Sequence, residues 1–466
     1  MKTTSIFACL SILLAHLSTA EAAPDSGPLV FSVPVASLAN HNTSAFPTYN
    51  QATCPANFGP AAAISSTKQL NINPELCDLS LNSVTPGHVS SVDVHTLIPS
   101  RPDLRWFAHL TPWFIPGGPH IGIGVNNDTD EWVEAAIRDM KSRGFNGAII
   151  DWWGPKNPIN SVTLRIKNLL ARQLKHDFTY IIQIDRVKTP EELQNLIAYC
   201  EEMYFTDPNY EREAGKPILM FFGVESNIGS KNMAAVKSRT KMPAIWVPHE
   251  RFWESKPSLG EAWNDGVFAW TDDFKDGVNA QDPYNLAKIT SFYNKVAKYP
   301  SKKIFAGICP SFNGTLTKKK AWSLGKHLPS DYGACLIERA KLINQVITPN
   351  VTRVQWITWQ DYEEGSAIEP GIENDIRVTA TVSGENLTWT VSGGTGDERT
   401  IDHFDIYASM DGQRAAHLAA LPAGTHRLKL DRRLFESGKS YNLYVNAVGR
   451  PCIRDHLSAA MDWIAK

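Results

Sequence analysis

Carboxylic acids and tryptophans recur at the ends of short apolar runs in the middle of this 466-residue chain. In the segment 355–370, Asp361 and Glu364 lie three residues apart behind Trp359. Immediately after a strand, residues i and i+3 can fold back across one turn and bring both carboxyl groups into one pocket. Their mutual repulsion, with nearby indoles, would raise the pKa of one and leave a proton donor beside an ionised partner. The spacing therefore favours acid–base catalysis.

The other apolar runs end in the same residue types. Asp151 is the predicted third catalytic acid, and the predicted substrate-binding residues are Trp113, Trp152, Trp153, Asp185, Glu225, His249, Trp270, Asp272, Trp359 and Tyr362. Cleavage of a glycosidic bond needs one carboxylic acid to protonate the leaving oxygen and one carboxylate for the oxocarbenium ion or water. Indole faces pack on the apolar faces of sugar rings. The sequence therefore predicts a glycoside hydrolase.

We assign Glu364 as the general acid, Asp361 as the base or nucleophile-like partner, and Asp151 as a residue that orients substrate or stabilises charge. Glu363 is interpreted as a solvated neighbour. His109, within the first apolar run, is predicted to be an interior histidine held by a hydrogen bond. His120 could touch substrate, and the sequence leaves this open.

Motifs of competing chemistries are missing from the sequence. No His-x-His follows the first run, no Gly-x-Ser-x-Gly elbow occurs, and no two cysteines have zinc-ribbon spacing. We therefore predict neither a metal nor a cofactor. The alternatives are a glycan-binding protein without activity, which should have lost one of the two key acids, and a metal-dependent hydrolase.

Eight continuous apolar runs, separated by amphipathic stretches, lie in a domain predicted to cover residues 104–372. The runs are Arg105–Phe114, Gly147–Trp153, Thr179–Asp185, Pro217–Glu225, Pro243–His249, Gly266–Asp272, Lys303–Cys309 and Val354–Asp361. Such runs suit parallel strands covered on both faces. Eight strand–helix units predict an α/β fold, the (β/α)8 TIM barrel, with its active site at the carboxyl ends of the strands. A doubly wound sheet is the alternative, but the Gly-rich turn typical of that fold is missing.

Residues 373–466 show a different pattern, with short alternating runs separated by turn residues. Ile376, Val378, Ala380 and Val382 alternate with polar residues, as do Leu387, Trp389 and Val391. This pattern predicts a small antiparallel β-sandwich. Its aromatic residues occupy core-like positions, so we interpret it as packing support or a spacer and not as a sugar binder.

The amino terminus predicts export. Residues 1–22 read as a signal peptide, with Lys2, an apolar run over Ile6–Leu17 and small residues near the cleavage site. That run is short for a membrane span, and no later segment approaches the required length. Residues 23–103 are interpreted as an N-terminal extension around the main domain. We therefore predict a secreted protein without a membrane partner.

Six cysteines remain after removal of the signal, which suggests disulfides in an exported chain. By short separation the pairs Cys54–Cys77 and Cys309–Cys335 are favoured, and Cys200 is interpreted as a buried free thiol. Glycosylation sequons, relevant in a eukaryotic host, occur at Asn42, Asn127, Asn313, Asn350 and Asn386.

Overall composition agrees with a soluble globular protein, with 43% hydrophobic and 20% charged residues. The 46 basic and 48 acidic residues give a net charge of −2, which argues against a nucleic-acid partner. The predicted partner is a glycan. The sequence leaves the oligomeric state open.

Two segments resemble known families. Residues 355–370 resemble the last-strand motif of the fungal α-1,3-glucanases (mutanases, family 71) and the endo-α-mannosidases (family 99), with Gln360 in place of the usual Asn. The segment 147–153 resembles the glucanase segment that carries a third functional acid. These resemblances imply a (β/α)8 glycosidase acting on an α-linked glucan or a mannan-type glycan. The segment 406–412 resembles fibronectin type III domains.

Overall fold

The computed structural model describes residues 79–80, 88–116, 120, 125–172, 177–250, 254–255, 257–270, 281–314, 326–393, 397–412 and 414–466. The predicted signal peptide, most of the extension, the Cys54–Cys77 pair, Asn42 and Asp272 lie outside the described residues. No helix within the described ranges is long and apolar enough to cross a membrane.

Eight parallel strands form the curved sheet at the centre of the molecule. They are β1 (Arg105–Leu110), β2 (Gly147–Trp152), β3 (Thr179–Ile184), β4 (Lys216–Phe221), β5 (Ile245–Pro248), β6 (Gly266–Phe268), β7 (Lys303–Ile308) and β8 (Val351–Trp356). Each overlaps one of the predicted apolar runs. Every strand pairs with the next, with a single bridge between His249 and Phe268 joining β5 to β6, and β8 pairs with β1. The sheet is an α/β, TIM-like fold.

Helices pack against the outside of this sheet. They are α1 (Asp130–Ser142), α2 (Asn160–Arg172), α3 (Pro190–Met203), α4 (Val224–Ile228), α5 (Ser230–Lys237), α6 (Leu286–Val296) and α7 (Ala334–Val346). The expectation of eight regular strand–helix units is wrong in two places. Within the described residues, β5 is followed only by a 3-10 turn at Ser258–Gly260, and β8 leads directly into the C-terminal sheets.

Local sequence explains where the helices begin. The hydroxyl of Thr189 accepts the backbone N–H of Glu192, and Pro190 occupies the first helical position of α3. A capping hydroxyl followed by a proline is a typical start of a helix, which explains why α3 begins here. Thr129 caps α1 in the same way, through the backbone N–H of Trp132.

Three kinds of side chain fill the interior of the sheet. The middle is apolar, formed by Phe107, Ile149, Ile181, Ile218, Met220, Val247, Phe268 and Phe305. At the amino end of the strands, Arg353 binds Glu211 at 2.7 Å and Glu213 at 2.9 Å, with Arg105 and Lys303 completing the ion pairs. At the carboxyl end lie polar and acidic residues.

Two antiparallel sheets follow the parallel sheet. Their strands are β9 (Arg377–Ser383), β10 (Asn386–Ser392), β11 (Ile401–Ser409), β12 (Arg414–Pro422), β13 (Arg427–Lys429), β14 (Ser440–Gly449), β15 (His456–Leu457) and β16 (Met461–Ile464). One sheet has the order β9-β10-β13, and β12, β11, β14, β15 and β16 form the other. Leu387, Trp389 and Phe404 are buried between them, as the alternation predicts. The arrangement agrees with a β-sandwich.

The end of the predicted extension lies against both parts of the molecule. Leu79–Ser80 pairs with β12 at the edge of a sandwich sheet. The backbone N–H of Ser90 donates to the carbonyl of Ile453, while Val94 and Ile98 are buried in the cluster around the parallel sheet.

The loop between β8 and β9 is also held from both sides. Arg143 donates to the carbonyls of Ile368 and Glu369 at 2.7 and 2.8 Å. On the sandwich side, Arg454 donates to the Pro370 carbonyl at 3.0 Å, and Ile372 donates its N–H to the Cys452 carbonyl at 2.7 Å.

The cysteines agree only in part with expectation. Cys200 is a buried free thiol, as predicted. The Cys309–Cys335 pairing is not formed: both are free thiols in one apolar cluster, and Cys309 Sγ donates to the Ser311 carbonyl at 3.0 Å. The short separation of the two cysteines along the chain is thus consistent with their shared cluster, but it does not lead to a disulfide bond. Among the sequons, Asn127 is buried and Asn386 is exposed on β10.

Candidate active site

Three aspartates meet at the carboxyl ends of the parallel strands. Asp151 lies in β2, Asp185 follows β3, and Asp361 lies in the loop after β8. Asp151 and Asp361 are each only 6% exposed. The charges of Asp185 and Asp361 both act on Asp151, so the structure brings these three predicted residues together.

Burial is the main influence on Asp151. It raises the pKa of this carboxyl well above its usual value, and the charge of Asp185 raises it further. The indole N–H of Trp153 donates to Asp151 Oδ1 at 3.0 Å and opposes the shift, as does the charge of Arg186. Asp151 is therefore a buried carboxyl group that retains its proton more readily than a surface aspartate.

Asp361 is fixed by the turn that follows β8. Its backbone N–H donates to the hydroxyl of Thr358 at 2.9 Å, and that hydroxyl lies 3.0 Å from the hydroxyl of Ser366. Its Oδ1 accepts the backbone N–H of Glu364 at 3.0 Å. Burial raises the pKa of Asp361 to about 7, against these lowering contacts and with a further rise from Glu363. The i, i+3 spacing thus places the Glu364 backbone, as a donor, on the Asp361 carboxylate.

Glu363 has a different environment from the one predicted. It is not simply solvated: its side chain is 20% exposed and hydrogen-bonds His120 Nδ1 at 2.7 Å. Its charge raises the pKa of Asp361, an effect that was expected from Glu364 and nearby indoles. Glu364 itself is half-buried, its carbonyl accepts the Asn313 N–H at 2.7 Å, and its charge acts on Cys309.

A cluster of flat groups lies beside the aspartates. The ring centroids of Trp113 and Trp153 are 5.1 Å apart, and His120 contacts both rings, at 5.3 Å from Trp113 and 6.5 Å from Trp153. The Arg186 guanidinium lies 3.3 Å from the Trp153 ring centre. Two of the predicted aromatic residues therefore form one wall, and Trp153 ties that wall to Asp151.

Three predicted substrate-binding residues are placed elsewhere. Trp152 alternates with Asp151 along β2 and points outward, where its N–H donates to Asn160. Trp359 is fully buried against Phe145 and the guanidinium of Arg143. The Tyr362 hydroxyl donates to Glu369 at 2.8 Å. These contacts lie within the packing around the parallel sheet, and the assignment of the three residues to substrate binding stays a prediction.

The opposite side of the strand ends carries a second acidic group. Burial raises the pKa of Glu225 to about 7, assisted by Glu250 and Glu261 and opposed by His249. His249 stacks on Phe222 at 4.8 Å and on Phe268 at 5.3 Å, two rings that also contact each other at 6.5 Å, and its charge also acts on Asp185.

Two histidine predictions can be compared with the structure. His109 is buried and contacts Gln183 at 2.9 Å and the ring of Trp270 at 4.7 Å, which confirms an interior histidine. Burial lowers its pKa to about 3, so it is neutral. His120 packs on the aromatic wall.

Several residues of the site were not predicted. Arg186 directly follows a predicted acid and has a positive φ of 63°, and Glu250 directly follows His249. Both could have been found by extending the strand ends by one residue. Within the described part of the chain, no group of three or more Asp, Glu, His or Cys residues is arranged to hold a metal ion.

Comparisons with known proteins give distant structural likenesses. No protein family and no curated protein matches the sequence. The GH99 endo-alpha-mannosidase from Bacteroides thetaiotaomicron is similar to this chain with 15% identity and a TM-score of 0.46, covering 57% of this chain and 87% of the mannosidase. A GH27 β-L-arabinopyranosidase from Geobacillus stearothermophilus has 9% identity and a TM-score of 0.30, over 72% and 94% of the two chains.

An amidohydrolase from Burkholderia ambifaria, solved with bound zinc, matches with 11% identity and a TM-score of 0.29, over 58% and 81% of the two chains. The similar structures thus include more than one class of enzyme. The fold assignment rests on the strand pairings of this molecule itself.

Proposed function

We propose that this protein is an exported glycoside hydrolase that cleaves an α-linked glucan or a mannan-type glycan. One observation supports the proposal above all others. Asp151 and Asp361 are both buried at the carboxyl end of a TIM-like sheet, next to the stacked indoles of Trp113 and Trp153, and the charge of Asp361 raises the pKa of Asp151. Carboxyl pairs beside aromatic walls suit glycosidic bonds.

The chemistry follows from the cost of two buried negative charges. Because burial and mutual repulsion disfavour the doubly ionised state, Asp151 and Asp361 together retain a proton near neutral pH. The protonated member can donate to the leaving oxygen, and the ionised member can stabilise the oxocarbenium ion or activate water. The indole faces can hold the apolar face of a sugar ring.

Glu364 is the other candidate for the proton donor in this proposal. Its place in the chain supports that role, since its backbone N–H is bonded to Asp361 Oδ1. Comparison of Asp151→Asn, Asp361→Asn and Glu364→Gln in one assay identifies which two carboxyl groups act.

The decisive experiment is a cleavage screen of the purified mature protein. A panel of α- and β-linked polysaccharides is incubated with the wild type and with Asp361→Asn, and product sizes are read by mass spectrometry. We expect shorter products from an α-linked member with the wild type only, and the same products after chelator treatment. Binding without cleavage across the panel would favour a glycan-binding protein, and loss of activity with chelator would favour a metal-dependent hydrolase.

Residues 373–466 are proposed to act as packing support for the parallel-sheet domain or as a spacer. Their resemblance to fibronectin type III domains remains part of the proposal, and it is supported by the two antiparallel sheets and their buried aromatic residues.

A further inference from the structure

The layer of side chains just below Asp151 in the barrel interior has an unusual composition. In an eight-stranded barrel each layer takes one residue from alternate strands, and the level advances by about one residue per strand because the strands are tilted. His109 pairs with Ile149, and Ile149 with Ile181, so the residue level with His109 on β3 is Gln183.

Continuing around the sheet, the pairings place His249 and Gly307 in the same layer. We call these four residues, His109, Gln183, His249 and Gly307, the polar layer. Interiors of such barrels are usually filled by branched apolar side chains. Here one position, Gly307, has no side chain, and the other three carry an amide or an imidazole. Gln355 belongs to the next layer down, with Ile149, Met220 and Phe268.

Several polar atoms in and next to the polar layer have no hydrogen-bond partner among the described residues. They are Nδ1 of His109, Oε1 of Gln183, both amide atoms of Gln355 and Nε1 of Trp270. The side chains of Gln183 and Gln355 are fully buried, and His109 is 1% exposed. Buried polar groups are nearly always satisfied, because an unsatisfied one loses its hydrogen bonds to water without replacement.

The chemistry of these atoms selects their ligand. Gln183 Nε2 lies 2.9 Å from His109 Nε2, so the neutral ring accepts there and carries its proton on Nδ1. The atoms without partners are therefore three N–H donors and two carbonyl acceptors. A bare anion could satisfy only the donors and a cation only the acceptors. Water donates and accepts, and a buried water makes about three hydrogen bonds.

We propose that the polar layer binds about two ordered water molecules that bridge His109, Gln183 and Gln355 and support Asp151 from the barrel interior. Asp151 is the register partner of Gln183 on the neighbouring strand and points into the same interior. Gln183 and Gln355 are positioning residues, because they act on Asp151 through these waters. The water site stands on the buried atoms alone, whereas its effect on turnover rests on the proposed function.

Crystallography of the full mature chain tests the site independently of activity. We expect density for water within about 2.7–3.2 Å of the Gln355 amide and of His109 Nδ1. A dry interior, or side chains that satisfy one another directly, would overturn the proposal. The same crystals of Met220→Leu, an apolar change in the layer of Gln355, should retain the waters.

Gln355→Met provides the second test. If the amide is hydrated, its loss leaves waters and neighbours short of partners, and Tm should fall by at least about 2 °C. If the amide is dry, its removal relieves an unsatisfied group and Tm should rise, which contradicts the proposal.

For the effect on Asp151, the acidic limb of the kcat/KM profile should move to higher pH in Gln355→Met and stay in place in Met220→Leu. An unmoved limb would refute the support of Asp151, whether or not water is present.

Discussion

The two ends of the parallel sheet use carboxylates in opposite ways. At the amino end, Glu211 and Arg353 are 4% and 3% exposed at their side chains, and they pair at 2.7 Å. At the carboxyl end, Asp151 and Asp361 are as deeply buried, but no arginine or lysine pairs with either of them among the described residues. The pKa of Glu213 is lowered by its contacts with Lys303 and Arg353 against the effect of burial, whereas burial raises that of Asp361.

This difference separates acids that are held as ions from acids that keep their proton to a higher pH. Burying an ion is costly, and a cation at hydrogen-bond distance offsets that cost and fixes the charge. Where no cation is paired with a buried carboxyl group, the pKa of that group is raised, so it can exchange its proton near neutral pH. Burial alone therefore does not mark the site. Burial combined with the absence, among the described residues, of a paired arginine or lysine distinguishes Asp151 and Asp361.

The largest expected effect is on turnover at the carboxyl end. Asp361→Asn removes the exchangeable proton but keeps the size of the side chain, so kcat should fall by about 10²–10⁴-fold without a loss of Tm. Steady-state kinetics and thermal melts measure the two. Glu373→Gln, an exposed acid paired with Arg454, is the control and should retain activity. Near-normal turnover in both Asp361→Asn and Glu364→Gln would remove these residues from the mechanism.

At the amino end the same logic predicts a loss of stability. Arg353→Met leaves Glu211 buried without its main partner, which should lower the free energy of unfolding by about 3–5 kcal/mol. Activity per folded molecule should remain. Denaturant titration measures the loss, and Arg399→Met, at the exposed Arg399–Glu338 pair, should cost no more than about 1 kcal/mol. Equal losses in the two variants would mean that burial does not distinguish the ends.

The pH dependence of stability should have opposite signs at the two ends. The folded-state pKa of Asp361, about 7, exceeds its ordinary 3.8, so ionisation of this group destabilises the fold as pH rises from 4 to 7. The pKa of Glu213 is below its ordinary 4.5, so its contribution is present above that value and is lost as pH falls.

Thermal melts between pH 3 and 8 compare these signs. Relative to wild type, Asp361→Asn should gain Tm towards pH 7, and Glu213→Gln should lose Tm there and approach wild type near pH 3. Shifts of the same sign in both variants would contradict the distinction.

The smallest expected effect concerns the aromatic wall. Trp153→Ala removes the ring that joins the aromatic wall to Asp151 and should raise KM by up to about tenfold. Trp153→Phe keeps a ring but loses the N–H bonded to Asp151, so it should shift the pH profile more than KM. Trp152→Phe, on the outward face of β2, should lower Tm and leave KM unchanged. A KM effect in Trp152→Phe equal to that in Trp153→Ala would remove the wall from substrate binding.

The strand positions and the three aspartates could be predicted because they depend on local pattern. Continuous apolar runs marked β2 and β3, and the end of each run identified Asp151 and Asp185. The outward position of Trp152 also follows from local pattern: side chains alternate along a strand, so an inward Asp151 requires an outward Trp152 and an inward Trp153.

Other features depend on contacts between distant parts of the chain. The His120–Glu363 hydrogen bond joins the loop after β1 to the loop after β8, and no local pattern indicates it. Trp359 looked like a site residue because it precedes Asp361, but the path of the turn directs it towards Phe145. Cys309 and Cys335 were predicted to form a disulfide, but both are free thiols in one buried cluster.

The loop between β8 and β9, which joins the parallel sheet to the sandwich, has a practical consequence. The turn that bears Asp361 continues without a helix into residues 368–372. Arg143 binds the backbone of this segment on the side of the parallel sheet, and Arg454 and Cys452 bind it on the side of the sandwich. A fragment that ends at residue 372 would lose the contacts with Arg454 and Cys452, and one end of this segment would be free. A shortened protein, or one with a new C-terminal domain, should therefore keep residues 373–466 if the turn that bears Asp361 is to stay in place.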